Sequence, residues 1–207
     1  TSTARNYGTI QGAATNPVGV YASAIGTATA SNAGTINLTG DGAGIGVGAR
    51  GATVNVTNTG TVTTSGAYMA GLFGRSSTAA TTNITNSGTV TAAAANGGGI
   101  YGTGPIVNII NTASGVVTGG SGSIAAVATN TYDAGTKTYN GGQATVTNAG
   151  TLNGNVTSYN RFGRPVRVVL PNTFVVNNNG GTINGSIVGD NNVSAGIFLN
   201  GGTVGAG

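Results

Sequence analysis

Carboxylates are the first side chains to consider for chemistry, because this chain offers few other reactive groups. Its 207 residues include three acidic and seven basic side chains, and histidine and cysteine are absent. Hydrolysis of a glycosidic bond needs two carboxyl groups within about 5–10 Å of each other. The acidic residues, Asp41, Asp133 and Asp190, are far apart in sequence. We expect each of them to lie in a solvated turn, and no carboxylate pair to form.

Other catalytic and metal chemistries lack their residues as well. A serine triad requires a histidine, and no serine–lysine pattern surrounds the single lysine, Lys137. Zinc sites use cysteine and histidine. The glycine-rich stretch 119–122 lacks the aspartate of the calcium-binding nonapeptide repeat. The sequence therefore predicts a protein that is not an enzyme, with no catalytic residue, no metal site and no cofactor.

The residues best suited to binding a partner lie in two stretches, 128–142 and 159–171. The second stretch holds three of the seven basic residues. Arginine beside aromatic residues is typical of contact hot spots. The candidate partner-binding residues are Tyr132, Tyr139, Tyr159, Arg161, Phe162, Arg164 and Arg167. The alternative interpretation is that 159–171 contains an extended strand whose side chains merely cross the surface.

A repeated sequence motif defines the structural units that carry these two stretches. Asn-x-Gly-Thr followed by Ile, Val or Leu begins at residues 6, 32, 58, 86, 148, 179 and 200, and a looser copy spans 111–117. The apolar residues that close the first five copies are 26 to 28 residues apart. A fixed period of this length indicates stacked supersecondary units. The chain therefore reads as a solenoid, with excursions at 128–142 and 159–171.

Each repeat contains three short strands. Val54 and Val56 alternate with polar residues, which is the period of a half-buried strand. Asn58 and Gly60 then form a turn, since both residue types tolerate positive φ. A strand too short to bury its own face can do so against the next coil. The alternative fold is an array of antiparallel hairpins, but such an array would place turns every 8–12 residues and would show no period of coil length.

The predicted fold is all-β: a right-handed parallel β-helix of about seven to eight coils with no α-helix, in a single domain over residues 1–207. The motif asparagines should form a structural ladder along one corner, at Asn32, Asn58, Asn86, Asn111, Asn148 and Asn179. Like residues should stack in other columns too. We expect Arg50 above Arg75, an outward aromatic column of Tyr21, Phe73 and Tyr101, and a core column of Val20, Leu72, Ile100 and Val127.

The Asn-x-Gly-Thr-Ile repeats and the phrase Gly-Thr-Ile-Asn-Gly-Ser-Ile at 181–187 resemble the passenger domains of bacterial autotransporters. Other large β-helical adhesins share the phrase. The resemblance implies a protein exported across the outer membrane by type V secretion, at the cell surface or extracellular. It also implies a signal peptide and a membrane barrel outside this segment, so we expect a fragment of a longer protein. Such passengers include adhesins, autoaggregation factors and a few enzymes.

We therefore predict a non-enzymatic adhesin or self-association module that acts through polar ladders on a rod. Its partner would be a host-cell protein, a glycan or another copy of itself. The net charge of +4 is spread too thinly for a nucleic-acid site, and no segment is long and apolar enough to insert into a membrane. The alternatives are a spacer stalk, a polysaccharide-acting enzyme, and an ice-binding protein that uses the Thr-x-Thr pairs at 61–63 and 89–91.

Overall fold

The chain winds through three parallel β-sheets that form a β-solenoid. A computed structural model describes residues 1–77, 80–92, 94–120, 122–129, 131–133, 135, 138–158, 172–189 and 193–205. Neighbouring strands in these three sheets come from consecutive coils, and their pairings are parallel. The predicted parallel β-helix with three strands per coil is confirmed, and no α-helix occurs within these residues.

Each sheet runs along the whole stack. Sheet 1 consists of β1 (Ser2–Asn6), β4 (Thr27–Asn32), β7 (Thr53–Asn58), β10 (Thr81–Asn86), β13 (Ile106–Asn111), β18 (Gln143–Asn148), β21 (Asn172–Asn179) and β24 (Val193–Asn200). Sheet 2 consists of β2 (Thr9–Ala13), β5 (Thr35–Thr39), β8 (Thr61–Thr64), β11 (Thr89–Ala92), β14 (Val116–Gly119), β19 (Thr151–Asn153), β22 (Thr182–Asn184) and β25 (Thr203–Gly205). Sheet 3 consists of β3 (Val18–Ser23), β6 (Ile45–Gly51), β9 (Ala70–Ser76), β12 (Gly98–Gly104), β15 (Gly122–Ala128), β20 (Val156–Thr157) and β23 (Ile187–Val188).

The core lies between the sheets and consists of apolar columns. In sheet 2 the column runs through Ile36, Val62 and Val90, each of them fully buried. Burying such a side chain stabilises the fold by about 1.5–3 kcal/mol. Each coil can bury only a few residues of its own, so the contacts that close the core come from the coils above and below.

One predicted core position is wrong. Ile100 pairs with Ile124, and Val127 pairs instead with Thr103 on the outward side of sheet 3. The turn between sheets 2 and 3 is shorter in this coil than in the coil before it. Counting a constant distance from the motif therefore overshoots the core position by three residues.

The stack is also slightly shorter than predicted. Six hydrogen bonds join the corner asparagines of successive coils from Asn6 to Asn178, so that column closes about six turns rather than seven to eight coils. Each motif copy marks one layer of the stack, and one turn of the chain connects two successive layers. Counting motif copies therefore overstates the number of turns. Beyond the last turn, β24 and β25 add a partial coil to sheets 1 and 2.

The motif glycines are required for a reason other than the predicted one. Gly60 is not among the residues with positive φ. A Cβ on Gly60 would instead collide with the carbonyl oxygen of Gly34 in the preceding coil, and a Cβ on Gly88 would collide with the carbonyl oxygen of Gly60. Close backbone approach at this corner therefore selects glycine in the repeats that follow the first. Gly8, in the first coil of this sequence, has nothing within 4 Å of that position.

The structure describes most of the first excursion and none of the second. Within 128–142, β16 (Thr131–Asp133) and β17 (Thr138–Asn140) pair with each other in antiparallel fashion, as a two-stranded sheet separate from the solenoid. The stretch 159–171 lies outside the described residues.

Candidate functional site

The inner corner of the solenoid carries a continuous asparagine ladder. In each coil the Nδ2 group donates to Oδ1 of the next asparagine, at 2.8–2.9 Å. Nδ2 also donates to the carbonyl of the motif glycine, as from Asn58 to Gly60 at 3.1 Å. The ladder side chains from Asn32 onward are at most 1% exposed. Both amide hydrogens and the carbonyl oxygen are thus used inside the protein, so this column holds the coils together and offers nothing to a ligand.

Five of the six predicted ladder residues lie in this column, namely Asn32, Asn58, Asn86, Asn111 and Asn148. The sixth prediction, Asn179, is wrong: Asn178 accepts the hydrogen bond from Asn148, while Asn179 is exposed and accepts one from Asn200. This turn contains one extra residue, Gly180, whose φ is 75°. The asparagine that points inward therefore lies one residue earlier in the sequence than predicted. Asn6 also belongs to the ladder, although it was not among the predicted ladder residues. Its position in the first copy of the motif could have identified it. The ladder ends where Leu199 pairs with Asn178.

The outward side of sheet 2 presents a column of threonines, which we call the threonine column. Seven of its eight positions in the described chain are threonine, in register from coil to coil: Thr9, Thr35, Thr61, Thr89, Thr151, Thr182 and Thr203, with Val116 as the exception. The first four are exposed, and their hydroxyls have no hydrogen-bond partner within the described residues. These hydroxyls are spaced by one coil, about 4.8 Å. They form a row of open donors and acceptors.

The outward side of sheet 1 carries a second, shorter ladder. Asn83 donates to Asn55 at 3.0 Å, and Asn108 donates to Asn83 at 3.1 Å. These side chains are half-buried. Ile106 and Ile110, on either side of Asn108, are exposed. Because its amides already bond to each other, this face offers fewer open polar groups than the threonine column does.

Sheet 3 brings together the predicted arginine and aromatic columns on its outward side. Arg50 pairs in register with Arg75, and Ser23 precedes Arg50 in the same column. The rings of Phe73 and Tyr101 stack with their centroids 5.7 Å apart. Gly48 separates Tyr21 from Phe73 in the predicted aromatic column, so the two cations lie beside one stacked pair of rings and a separate tyrosine.

Tyr101 is 8% exposed although it points away from the solenoid core, because it belongs to a small second apolar cluster with Ala70 and Val127. Burial raises the pKa of Tyr101 above its ordinary value of 10.0. A hydrogen bond with Thr103 and the charge of Arg75 act in the opposite direction. Burial therefore favours the neutral phenol, whose ring packs in this cluster.

Two of the candidate binding residues of the excursions are brought together. Tyr132 and Tyr139 are backbone partners in the register of the antiparallel pair, and their side chains are outside the description. The remaining candidates lie outside the described residues: Tyr159, Arg161, Phe162, Arg164 and Arg167.

The described residues contain no group of three or more His, Cys, Asp or Glu side chains placed to hold a metal ion. They also contain no helix long and apolar enough to cross a bilayer.

No family model, no curated protein and no solved structure matches this chain. Among the described residues, three outward surfaces could contact a partner: the threonine column, the outer asparagine ladder and the arginine–aromatic face of sheet 3.

Proposed function

We propose that this chain is a non-enzymatic module of a bacterial cell-surface or secreted protein, the passenger part of an autotransporter. Its role is adhesion to another copy of itself or to a host-cell protein or glycan. The observation that carries the proposal is the threonine column, with open hydroxyls on four successive coils. A repeated row of this kind suits a partner that is itself repetitive, since every coil adds the same contact.

The proposed mechanism is avidity. Each hydroxyl contributes a hydrogen bond of about 0.5–1.5 kcal/mol net. Such a contact is weak singly, but contacts on one rigid rod form together and their effect multiplies. With ten charged side chains in 207 residues, little repulsion opposes the approach of two rods.

The experiment compares variants of two faces of the same coils. The chain is displayed on a bacterium that does not clump, and settling of the suspension and attachment to cultured host cells are measured. We expect Thr61→Lys with Thr89→Lys to abolish clumping or attachment, because two bulky charges block the row. The matched control, Asn55→Lys with Asn83→Lys, adds the same charge to sheet 1 and should leave both readouts unchanged. Absence of clumping and attachment with the unaltered chain would refute the proposal.

The second candidate is a spacer stalk that holds another domain away from the membrane. The inner asparagine ladder favours it, because a rod whose successive coils are hydrogen-bonded to one another along one corner resists bending without any partner. A spacer predicts that neither pair of lysine substitutions alters attachment, while shortening the rod by whole coils does.

A further inference from the structure

We propose that the outward side of sheet 3 binds an acidic sugar, with the anionic group held by Arg50 and Arg75 and the sugar ring against Tyr21. This site is separate from the threonine column. The proposal rests on the proposed function, for which it names a ligand class.

The two arginines line an open cleft of about 340 Å³. Arg50 and Arg75 are neighbours in register on β6 and β9, and both are exposed. Ser23 occupies the equivalent position on β3, and Ser77 lies beyond the end of β9 at the cleft wall. Three successive coils therefore supply two guanidinium groups and two hydroxyls to one concave surface.

The cleft has a positive charge that none of the described residues lining it offsets. None of its lining residues is acidic, and neither guanidinium forms a hydrogen bond or an ion pair within the described residues. Like charges directly opposite each other on neighbouring strands destabilise a sheet. An anion between them would replace this repulsion with two attractions. The planar guanidinium group matches the paired oxygens of a carboxylate or a sulfate.

Tyr21 turns this anion site into a candidate sugar site. It lies on the outward side of β3 and is 39% exposed. A Cβ on Gly48 would be 3.0 Å from Cδ2 of Tyr21, so the missing side chain there lets the ring lie against the coil that carries Arg50. Gly48 and Arg50 are two residues apart on β6, about 7 Å along the strand. This separation sets a sugar ring beside the tyrosine while its acidic substituent reaches the arginine.

The arrangement favours a sugar over an acidic peptide. An aromatic ring combines an apolar face with a polar tip, and the face suits the C–H groups of a sugar ring. The hydroxyls of Ser23 and Ser77 suit the sugar hydroxyls. A peptide carboxylate would use the arginines equally well but leave the tyrosine face and these hydroxyls without a partner.

The test measures fluorescence anisotropy of labelled oligosaccharides with the whole chain. The probes are an oligogalacturonate, which carries carboxylates, a heparin-derived oligosaccharide, which carries sulfates, a neutral cello-oligosaccharide and an oligoglutamate. We expect at least one acidic sugar to bind at least tenfold more tightly than the neutral sugar and the oligoglutamate. The preference between the two acidic sugars identifies the anionic group.

Single substitutions locate the site. Arg50→Gln and Arg75→Gln should each weaken binding of the acidic sugar at least threefold. The matched control, Arg5→Gln, removes an exposed charge from sheet 1 and should change binding less than Arg50→Gln does. Tyr21→Ser should weaken the acidic sugar and leave competition by inorganic sulfate unchanged. Circular dichroism checks that each variant is folded.

Three results would overturn the proposal: equal weakening by Arg5→Gln and Arg50→Gln, equal binding of neutral and acidic sugars, or tighter binding of oligoglutamate. The threonine-column variant Thr61→Lys with Thr89→Lys separates this proposal from the proposed function. Loss of clumping with sugar binding retained supports two independent surfaces. Sugar binding absent while clumping persists would refute this site alone.

Discussion

Replacing Asn86 by alanine tests whether the inner ladder holds the coils together. The Asn86 side chain is fully buried. Its Nδ2 donates to Oδ1 of Asn111 at 2.9 Å, and its Oδ1 accepts from Nδ2 of Asn58 at 2.9 Å. Removing it leaves Oδ1 of Asn111 without a donor in the core, and one N–H of Asn58 keeps only a long contact of 3.5 Å to the carbonyl of Thr89. An orphaned group costs about 1–3 kcal/mol and a poorly paired one less, so Asn86→Ala should lower the free energy of unfolding by about 2–4 kcal/mol. The carbonyl of Gly88 loses a donor but keeps its bond from the backbone of Val116.

The matched control is Asn83→Ala on the same strand, three residues earlier. Asn83 also donates one ladder bond and accepts one, to Asn55 and from Asn108. Its side chain is half-buried on the outward side, so water can replace both partners. We expect a loss of no more than about 1 kcal/mol. The contrast between the two variants isolates burial from the number of hydrogen bonds.

Urea unfolding followed by far-UV circular dichroism measures both values, and equal denaturant slopes show that the same surface unfolds in each variant. If Asn86→Ala does not fold, Asn6→Ala provides a smaller perturbation. Asn6 begins the ladder, so its removal orphans Oδ1 of Asn32 in the core, with a loss of about 1–3 kcal/mol. The backbone N–H of Gly8 also loses its bond to Asn6, but Gly8 is exposed and water can replace that partner. Equal losses for Asn83→Ala and Asn86→Ala would refute the reasoning.

Two further predictions concern the motif glycine and the buried tyrosine. Gly60→Ala should destabilise the fold by about 1–3 kcal/mol, because its Cβ meets the backbone of Gly34, which cannot move aside; Gly8→Ala, the same motif position in the first coil, should be close to neutral in the same urea assay. Because burial raises the pKa of Tyr101 above 10.0, the unfolded chain ionises first as the pH rises. The stability contributed by the neutral phenol is therefore complete below about pH 10 and is lost as the pH rises through the folded-state pKa. Tyr101→Phe should remove this loss in urea titrations at alkaline pH, and an unchanged pH slope would contradict it.

The repeat pattern alone predicts that the chain is a parallel solenoid. Residues such as Val56, Ile84 and Ile109 recur two positions before a motif asparagine, and the structure pairs them across neighbouring coils. The inference works because a strand buried by the next coil must match that coil residue for residue. A fixed period therefore encodes the register of the sheets, and the stacking of Arg50 on Arg75 followed from the same rule.

The rule fails where a turn changes length. Shortening of one turn moved the core position from Val127 to Ile124, and the extra residue at Gly180 moved the ladder from Asn179 to Asn178. Three asparagines stand in a row there, at 177–179. Composition cannot choose among them, since which one points inward depends on the pairing with β18, a contact between distant segments.

Which polar columns a partner can reach depends on contacts between distant segments of the chain. Asn86 and Asn83 are the same residue type on one strand, yet one is sealed inside the corner and the other reaches the surface. The threonine column carries open hydroxyls, although its residues belong to the motif that builds the rod. The motif position likewise requires glycine because a carbonyl group of another coil lies where a Cβ would be. A sequence records which residues repeat, whereas the side that each one faces, and the backbone it meets, are set by the stacking of coils.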